Sequence, residues 1–280
     1  MTSRPFRQVD VFGSAPYTGN PVAVVLDAEG LTDAEMTRIS EWTNLSECTF
    51  VLPPTTPDAD YRVRIFSLST ELPFAGHPTL GTARAWLDAG GTPRDPGRIV
   101  QECGAGLVPL RREDDTLAFA APPLVRSGPV DDATVAQACA VLGISPGEVI
   151  DAAWVDNGPG WVGLLLDSPE AVAALSPAAA PPGRWDIGVA ALHPAGSDLA
   201  LEVRAFFCHD GGALREDPVT GSLNASLAQW LTSTGRLEAP YRARQGTALG
   251  RDGRILVTAS DGELWIGGAT HVAIAGTVEA

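Results

Sequence analysis

The chain has 280 residues, 45% of them hydrophobic and 19% charged, which describes a globular protein with room for two ordinary domains and a core that needs no disulfides. Its 34 acidic and 19 basic residues leave a net charge of −15, which argues against a nucleic-acid partner because nothing would replace the counterions on phosphates. Every basic residue is an arginine, so Schiff-base, P-loop and kinase-type lysine chemistry is excluded, and with it pyridoxal phosphate enzymes and nucleoside triphosphatases.

Residues 7–12 and 21–26 read as strands around the turn Pro16-Tyr17-Thr18-Gly19-Asn20. Thr32 and Glu35 form a capping-box pattern, and Met36, Ile39 and Trp42 or Thr43 follow at helical spacing up to Asn44. A strand over 47–52 is closed by Pro53-Pro54, and Tyr61 to Ser67 alternates as another. A helix is predicted from about Pro78 to Ala89, stopped by Gly90-Gly91. Strands follow at 98–103, 106–111 and 116–120, with Gly104-Ala105-Gly106 and Asp114-Asp115 as turns.

Pro122-Pro123 and Ser127-Gly128-Pro129 mark the passage to a second half. That half opens with a helix from Asp131 to Leu142, ended by Gly143, and continues with a strand from Trp161 to Leu166 after Asn157-Gly158-Pro159-Gly160. A short helix over 169–175 leads into an Ala/Pro run over 176–183, read as a surface excursion. A strand and a helix ending at Gly235 come next, then three closing strands with turns at Asp252-Gly253 and Asp261-Gly262. Many strands around one or two helices in each half make the fold α+β.

Residues 61–87 laid on 201–227 without a gap share seven positions, among them Val63 with Val203, Arg64 with Arg204, Phe66 with Phe206, Pro78 with Pro218 and Gly81 with Gly221. An internal repeat of this kind fixes the architecture before any single residue does. It predicts two similar lobes, residues 1–124 and 125–269, with the closing strand at about 270–280 a candidate to return to the first. The repeated helix starts would bring His77 and Asp217 together across a cleft.

Three positions could carry chemistry. Asp217 ahead of Pro218 reads, taken alone, as an N-cap before it reads as a catalyst. His77 is a poor cap, and a helix N-terminus favours its neutral ring, able to accept or relay a proton. Gly81-Thr82 and Gly221-Ser222 place a small residue and a hydroxyl beside unpaired helix amides, twice at one spacing, which suits carboxylate or enolate oxygens. Glu47 lies where a helix gives way to a strand, and periodicity alone does not separate it from a solvated surface carboxylate.

Resemblance separates it. Gly19 to Leu26, Asn44-Leu45-Ser46-Glu47-Cys48-Thr49-Phe50, Glu71 to Gly81, Glu216 to Ser222 and Gln245-Gly246-x-Ala248-Leu249-Gly250-Arg251 strongly resemble, in order, the PhzF-like phenazine biosynthesis family. The resemblance implies the diaminopimelate epimerase-like fold, with a strongly curved sheet around a central helix in each lobe, and a cofactor-free isomerase site between lobes. It implies a homodimer. The family's glutamate, which moves a proton between carbons of a dihydro-hydroxyanthranilate ring, matches Glu47; its histidine, aspartate and serine match His77, Asp217 and Ser222, and Gly76 and Gly221 flank the pocket. Val219, where alanine is common, and the polar helix face at Asn224-Ala225-Ser226 depart from the family pattern.

Chemically, drawing a proton from carbon needs a close base and stabilisation of the anion formed. Glu47, the helix amides and Ser222 supply these for a small carboxylate substrate, with no metal or cofactor expected. His77, His193, His209 and His271 show no metal-ligand spacing, and His193, His209 and His271 read as surface or loop residues. A two-thiol racemase of the same fold is the enzymatic rival, but it needs cysteines where this chain has His77 and Asp217, and Cys48 reads as packing. The other rival is a small-molecule binding or interaction protein without turnover. The four cysteines, Cys48, Cys103, Cys139 and Cys208, form no C-x-x-C pair and read as reduced, mostly buried thiols. No apolar run approaches a membrane span and residues 1–8 lack a signal-peptide core, so the expectation is a soluble cytoplasmic protein without a membrane partner.

Overall fold

A computed structural model describes residues 2–113, 116–177, 183–208 and 212–280. In chain order the elements are β1 (Ser3–Val11), β2 (Asn20–Val25), α1 (Asp33–Thr43), β3 (Cys48–Leu52), β4 (Tyr61–Ser67), β5 (Thr70–Leu72), α2 (Gly76–Asp88), β6 (Arg98–Cys103), β7 (Gly106–Glu113) and β8 (Thr116–Ala120). They continue as β9 (Arg126–Pro129), α3 (Asp132–Leu142), β10 (Val149–Asp156), β11 (Val162–Leu166), α4 (Pro169–Ala174), β12 (Trp185–Leu192), β13 (Leu201–Cys208), β14 (Arg215–Asp217), α5 (Gly221–Ser233), β15 (Tyr241–Gln245), β16 (Gly253–Ser260) and β17 (Glu263–Glu279). The Asp114-Asp115 turn, most of the Ala/Pro run and His209 lie outside the described residues. Among the described residues no helix is long and apolar enough to cross a membrane.

The chain divides into a unit made of residues 1–120 with 267–280, and a unit of residues 121–266. In the first, β17 pairs with β1, and β2, β3, β4, β6, β7 and β8 follow in sequence until β8 returns to β17. Eight strands thus close into a barrel. Helix α2 touches β1, β2, β3, β6 and β8, staves from all round the ring, and every residue from Gly76 to Ala83 is buried. A helix segment buried on all sides is core rather than amphipathic surface. Helix α1 lies outside, its Met36 packed over Ala23, Val25, Phe50 and Phe66.

The second unit repeats this plan. Strands β9, β10, β11, β12, β13, β15 and β16 pair in turn, with β11–β12 and β13–β15 parallel as β2–β3 and β4–β6 are in the first. Helix α5 is buried over most of its length. The fold is α+β, with a mostly antiparallel sheet around one central helix in each unit, as expected.

Several sequence expectations are corrected. The repeat is not gap-free. Phe66 faces Glu71 across β4–β5 and Phe206 faces Glu216 across β13–β14, so the strands match at an offset of 140 and everything after the loop matches at 145. The loop in the second unit is five residues longer. The true correspondence is Glu71-x-Pro73-x-x-Gly76-His77 with Glu216-x-Pro218-x-x-Gly221-Ser222. It is secured twice by the same ion pair, Arg64 to Glu71 and Arg204 to Glu216.

Helix α2 therefore begins at Gly76, not Pro78, and α5 begins at Gly221, with Thr220 rather than Asp217 in the cap position. Asp217 closes β14 instead. The passage between halves includes β9. Nothing in the local pattern anticipates β12, and Gly253 starts β16 rather than forming a turn. Trp42 is 85% exposed, because Met36 and Ser40 carry the packed face of α1.

Candidate active site

In the first unit the site starts from a buried aspartate. Asp10, near the end of β1, accepts the amides of Thr18 (3.1 Å) and Gly19 (2.9 Å) and folds the β1–β2 connection back on itself. Only glycine fits at 19, since a Cβ there would stand 2.1 Å from the Val11 carbonyl oxygen. The clamp delivers Asn20, wholly buried at the start of β2, to the N-terminus of α2, where its Nδ2 lies 3.3 Å from His77 Nδ1. Parallel pairing of β3 with β2 brings Glu47, the residue before β3, to the same end of the barrel. Its Oε2 lies 3.2 Å from His77 Nε2.

Burial pushes the His77 pKa down to about 3, so the ring is neutral at physiological pH and its contact with Glu47 is not an ion pair. An amide nitrogen can only donate, so the Asn20 contact favours the tautomer whose proton sits on Nε2, on the side of Glu47. A buried neutral imidazole beside a half-buried carboxylate can pass or hold a proton without moving charge across the barrel.

The second unit has the same layout with other chemistry. Asp156 Oδ1 accepts the amides of Gly158 and Gly160, both at 2.7 Å, in a turn whose two glycines have positive φ. The turn aims Asn157 at the Ser222 carbonyl (2.8 Å) and the Trp161 indole at the Ser222 hydroxyl (3.2 Å). Asp217 Oδ2 accepts from Thr220 Oγ1 at 2.6 Å.

Gln245, fully buried at the end of β15, ties this segment together. It accepts from Thr220 N (3.0 Å) and Asn224 Nδ2 (2.8 Å) and donates to Thr220 Oγ1 (2.9 Å) and the Asp217 carbonyl (3.0 Å).

The helix starts differ in kind. Thr32, Asp131 and Ser168 cap α1, α3 and α4 with their side chains, whereas α2 and α5 have no side-chain cap and begin with buried glycine. First-turn amides left uncapped at the positive end of a helix suit anionic oxygen.

Thus the structure joins Glu47 with His77 in one unit, and in the other ties Asp217 to Thr220, the residue ahead of Gly221 and Ser222; Gly76 is the first residue of α2, beside His77. Gly81 and Thr82 are set apart in the second turn of α2. A Cβ on Gly81 would stand 2.2 Å from Val22 Cγ1, and the Thr82 hydroxyl is engaged by Pro78 O and Thr49 Oγ1, so both serve packing. Cys48 is buried and its thiol is pushed up to about 12 by that burial, which suits packing rather than nucleophilic work. His193 is no free surface residue; its Nε2 lies 3.3 Å from buried Glu202. Among the described residues no three His, Cys, Asp or Glu side chains are grouped to hold a metal ion. Asn20, Trp161, Thr220 and Gln245 are the site residues that sequence reasoning passed over, although the recurring Asn-x-Pro and Asn-Pro turns marked two of the loops.

A family model described as PhzC-PhzF, phenazine biosynthesis-like protein, matches residues 9–278. A Schizosaccharomyces pombe protein named antisense-enhancing sequence 1 is 33% identical over 99% of both chains. A trans-2,3-dihydro-3-hydroxyanthranilate isomerase of Pseudomonas fluorescens is 36% identical over 87% of this chain and 86% of its own. Among solved structures, a PhzF-family phenazine biosynthesis protein of Bacillus anthracis superposes with a TM-score of 0.80 over 100% of both chains at 21% identity. Taken with the barrel topology, these matches place the chain in the phenazine biosynthesis-like PhzC-PhzF family, of diaminopimelate epimerase-like fold and of isomerase type.

Proposed function

We propose that the protein is an isomerase that moves a proton between carbons of a small carboxylate. The observation that carries this reading is the Glu47 carboxylate held 3.2 Å from a buried, neutral His77. Glu47 takes the proton from carbon. His77, its Nε2 beside Glu47, shares the proton's return. The open amides at Gly221 and Gly76, with Ser222 and Asp217, bind the substrate's polar groups and steady the negative charge that develops. None of these steps calls on a cofactor. The relative in Pseudomonas fluorescens named for trans-2,3-dihydro-3-hydroxyanthranilate supplies the first substrate to try.

The test is solvent deuterium incorporation. The wild-type protein should exchange the migrating proton of trans-2,3-dihydro-3-hydroxyanthranilate or a related cyclic carboxylate, and Glu47→Gln should abolish exchange while binding persists. Full exchange in the variant would remove Glu47 from the role of base. The excess of acidic residues supports a reading without nucleic acid, and family resemblance supports a cytoplasmic homodimer. A second reading, ligand binding without turnover, draws on the full-length likeness to the Schizosaccharomyces pombe protein, whose name describes no enzyme. Thermal stabilisation by carboxylates without any exchange would favour it.

A further inference from the structure

The second residue of each central helix is gripped in the same way. In α2 the Asn20 carboxamide nitrogen meets His77 Nδ1 at 3.3 Å, and in α5 the Trp161 indole N–H donates into Ser222 Oγ at 3.2 Å. An indole nitrogen is a donor and never an acceptor. Among the described residues it is the hydroxyl's one hydrogen-bond partner. One lone pair of the Ser222 oxygen is therefore taken from the protein side, and the hydroxyl proton is left for whatever meets the start of α5. Trp161 is itself only 4% exposed, pinned by the turn that Asp156 closes through Gly158 and Gly160, so the indole has little freedom to release the contact.

We propose that Trp161 is a positioning residue that orients Ser222 to donate its hydroxyl proton, so that the start of α5 favours a ligand group that accepts, a carboxylate oxygen. The uncapped amides of α5 beside it point to the same class, since they too can only donate. The selection of a carboxylate rests on the isomerase reading above; the contact that produces it does not. A carboxamide would present one acceptor where a carboxylate presents two.

The experiment uses the full chain and 3-hydroxyanthranilate, a stable aromatic carboxylate, with its carboxamide as comparison. In a proton–nitrogen spectrum without ligand, the Trp161 indole resonance, identified by its loss in Trp161→Phe, should move in Ser222→Ala while the other indoles stay. Trp161→Phe should weaken binding of the acid about tenfold, and in a Ser222→Ala background it should cost nothing further. The carboxamide should bind weakly to all variants.

An unmoved indole resonance overturns the positioning role whatever the protein binds, and so does an additive loss in the double variant. If the wild-type protein does not bind the acid while the indole still answers to Ser222→Ala, carboxylate selection falls and the contact stands. Absence of proton exchange, by contrast, sinks only the isomerase reading.

Discussion

Arg204 and Arg64 hold equivalent positions on β13 and β4, and each makes two short bonds to the glutamate opposite, Glu216 and Glu71, yet one pair is buried and the other is not. The side chains of Arg204 and Glu216 are 7% and 10% exposed, those of Arg64 and Glu71 25% and 44%. Arg204 also donates to the Val172 and Leu175 carbonyls at the end of α4. Removing one partner of a buried pair leaves an uncompensated charge, whereas an exposed pair is largely replaced by water. Arg204→Met should cost about 3 kcal/mol in urea denaturation and Arg64→Met under about 1 kcal/mol. Equal losses would show that the two pairs do the same work despite their surroundings.

His77 sets the acid side of stability. Its ring titrates at about 3 in the folded protein against 6.5 as the reference, because burial disfavours the charged form. Between these values the unfolded chain binds the extra proton, so this contribution is fully present above pH 6.5 and is lost as pH falls toward 3. From pH 7 to pH 5 the loss is about 2 kcal/mol. His77→Gln should flatten that limb, read from urea midpoints at the two pH values, and a variant with an unchanged limb would assign the acid loss to other groups.

Gln245 braces Thr220, the residue ahead of α5. Replacing it with leucine leaves the Thr220 amide and the Asn224 carboxamide without their acceptor in a buried place, at roughly 1–3 kcal/mol for each unsatisfied group. Gln245→Leu should therefore lower stability by about 3 kcal/mol. It should also raise amide exchange at residues 220–224 more than elsewhere in the second unit. Uniform exchange across the unit would mean that Gln245 stabilises the fold at large rather than this helix start.

Gly81 is a packing glycine. Its α2 backbone approaches Val22 so closely that a methyl group would stand 2.2 Å from Val22 Cγ1. Gly81→Ala should destabilise by about 1–3 kcal/mol through overpacking, and Val22→Ala should recover part of that loss. Two independent, additive losses would place the strain elsewhere.

How much of this was legible in the amino-acid sequence follows from how local each cause is. The Thr32/Glu35 capping box, the Asp131 cap and the Gly143 stop are settled within a few residues, and all were readable. The repeat was readable from Val-Arg-x-Phe, but its register was not, because the five extra residues fall in a loop with no grammar of its own and a chance match of Pro78 with Pro218 hid the shift. Strand β12 was hidden because a strand buried on both faces loses its alternation. Trp42 was misplaced since helical spacing fits more than one face, and only contact with the sheet chooses. Glu47 drew its meaning from resemblance alone, whereas Trp161 and Gln245 gain theirs from partners 61 and 25 residues away, a distance that no local pattern spans.

Strand β17 belongs to both units, with residues 263–266 in one and 267–279 in the other. During synthesis the second unit is therefore fully specified once residue 266 has left the ribosome, while the first still lacks the stave that joins β8 to β1. The half translated first is the half that closes last. Until then, β1 and β8 are open edges held by a nascent chain.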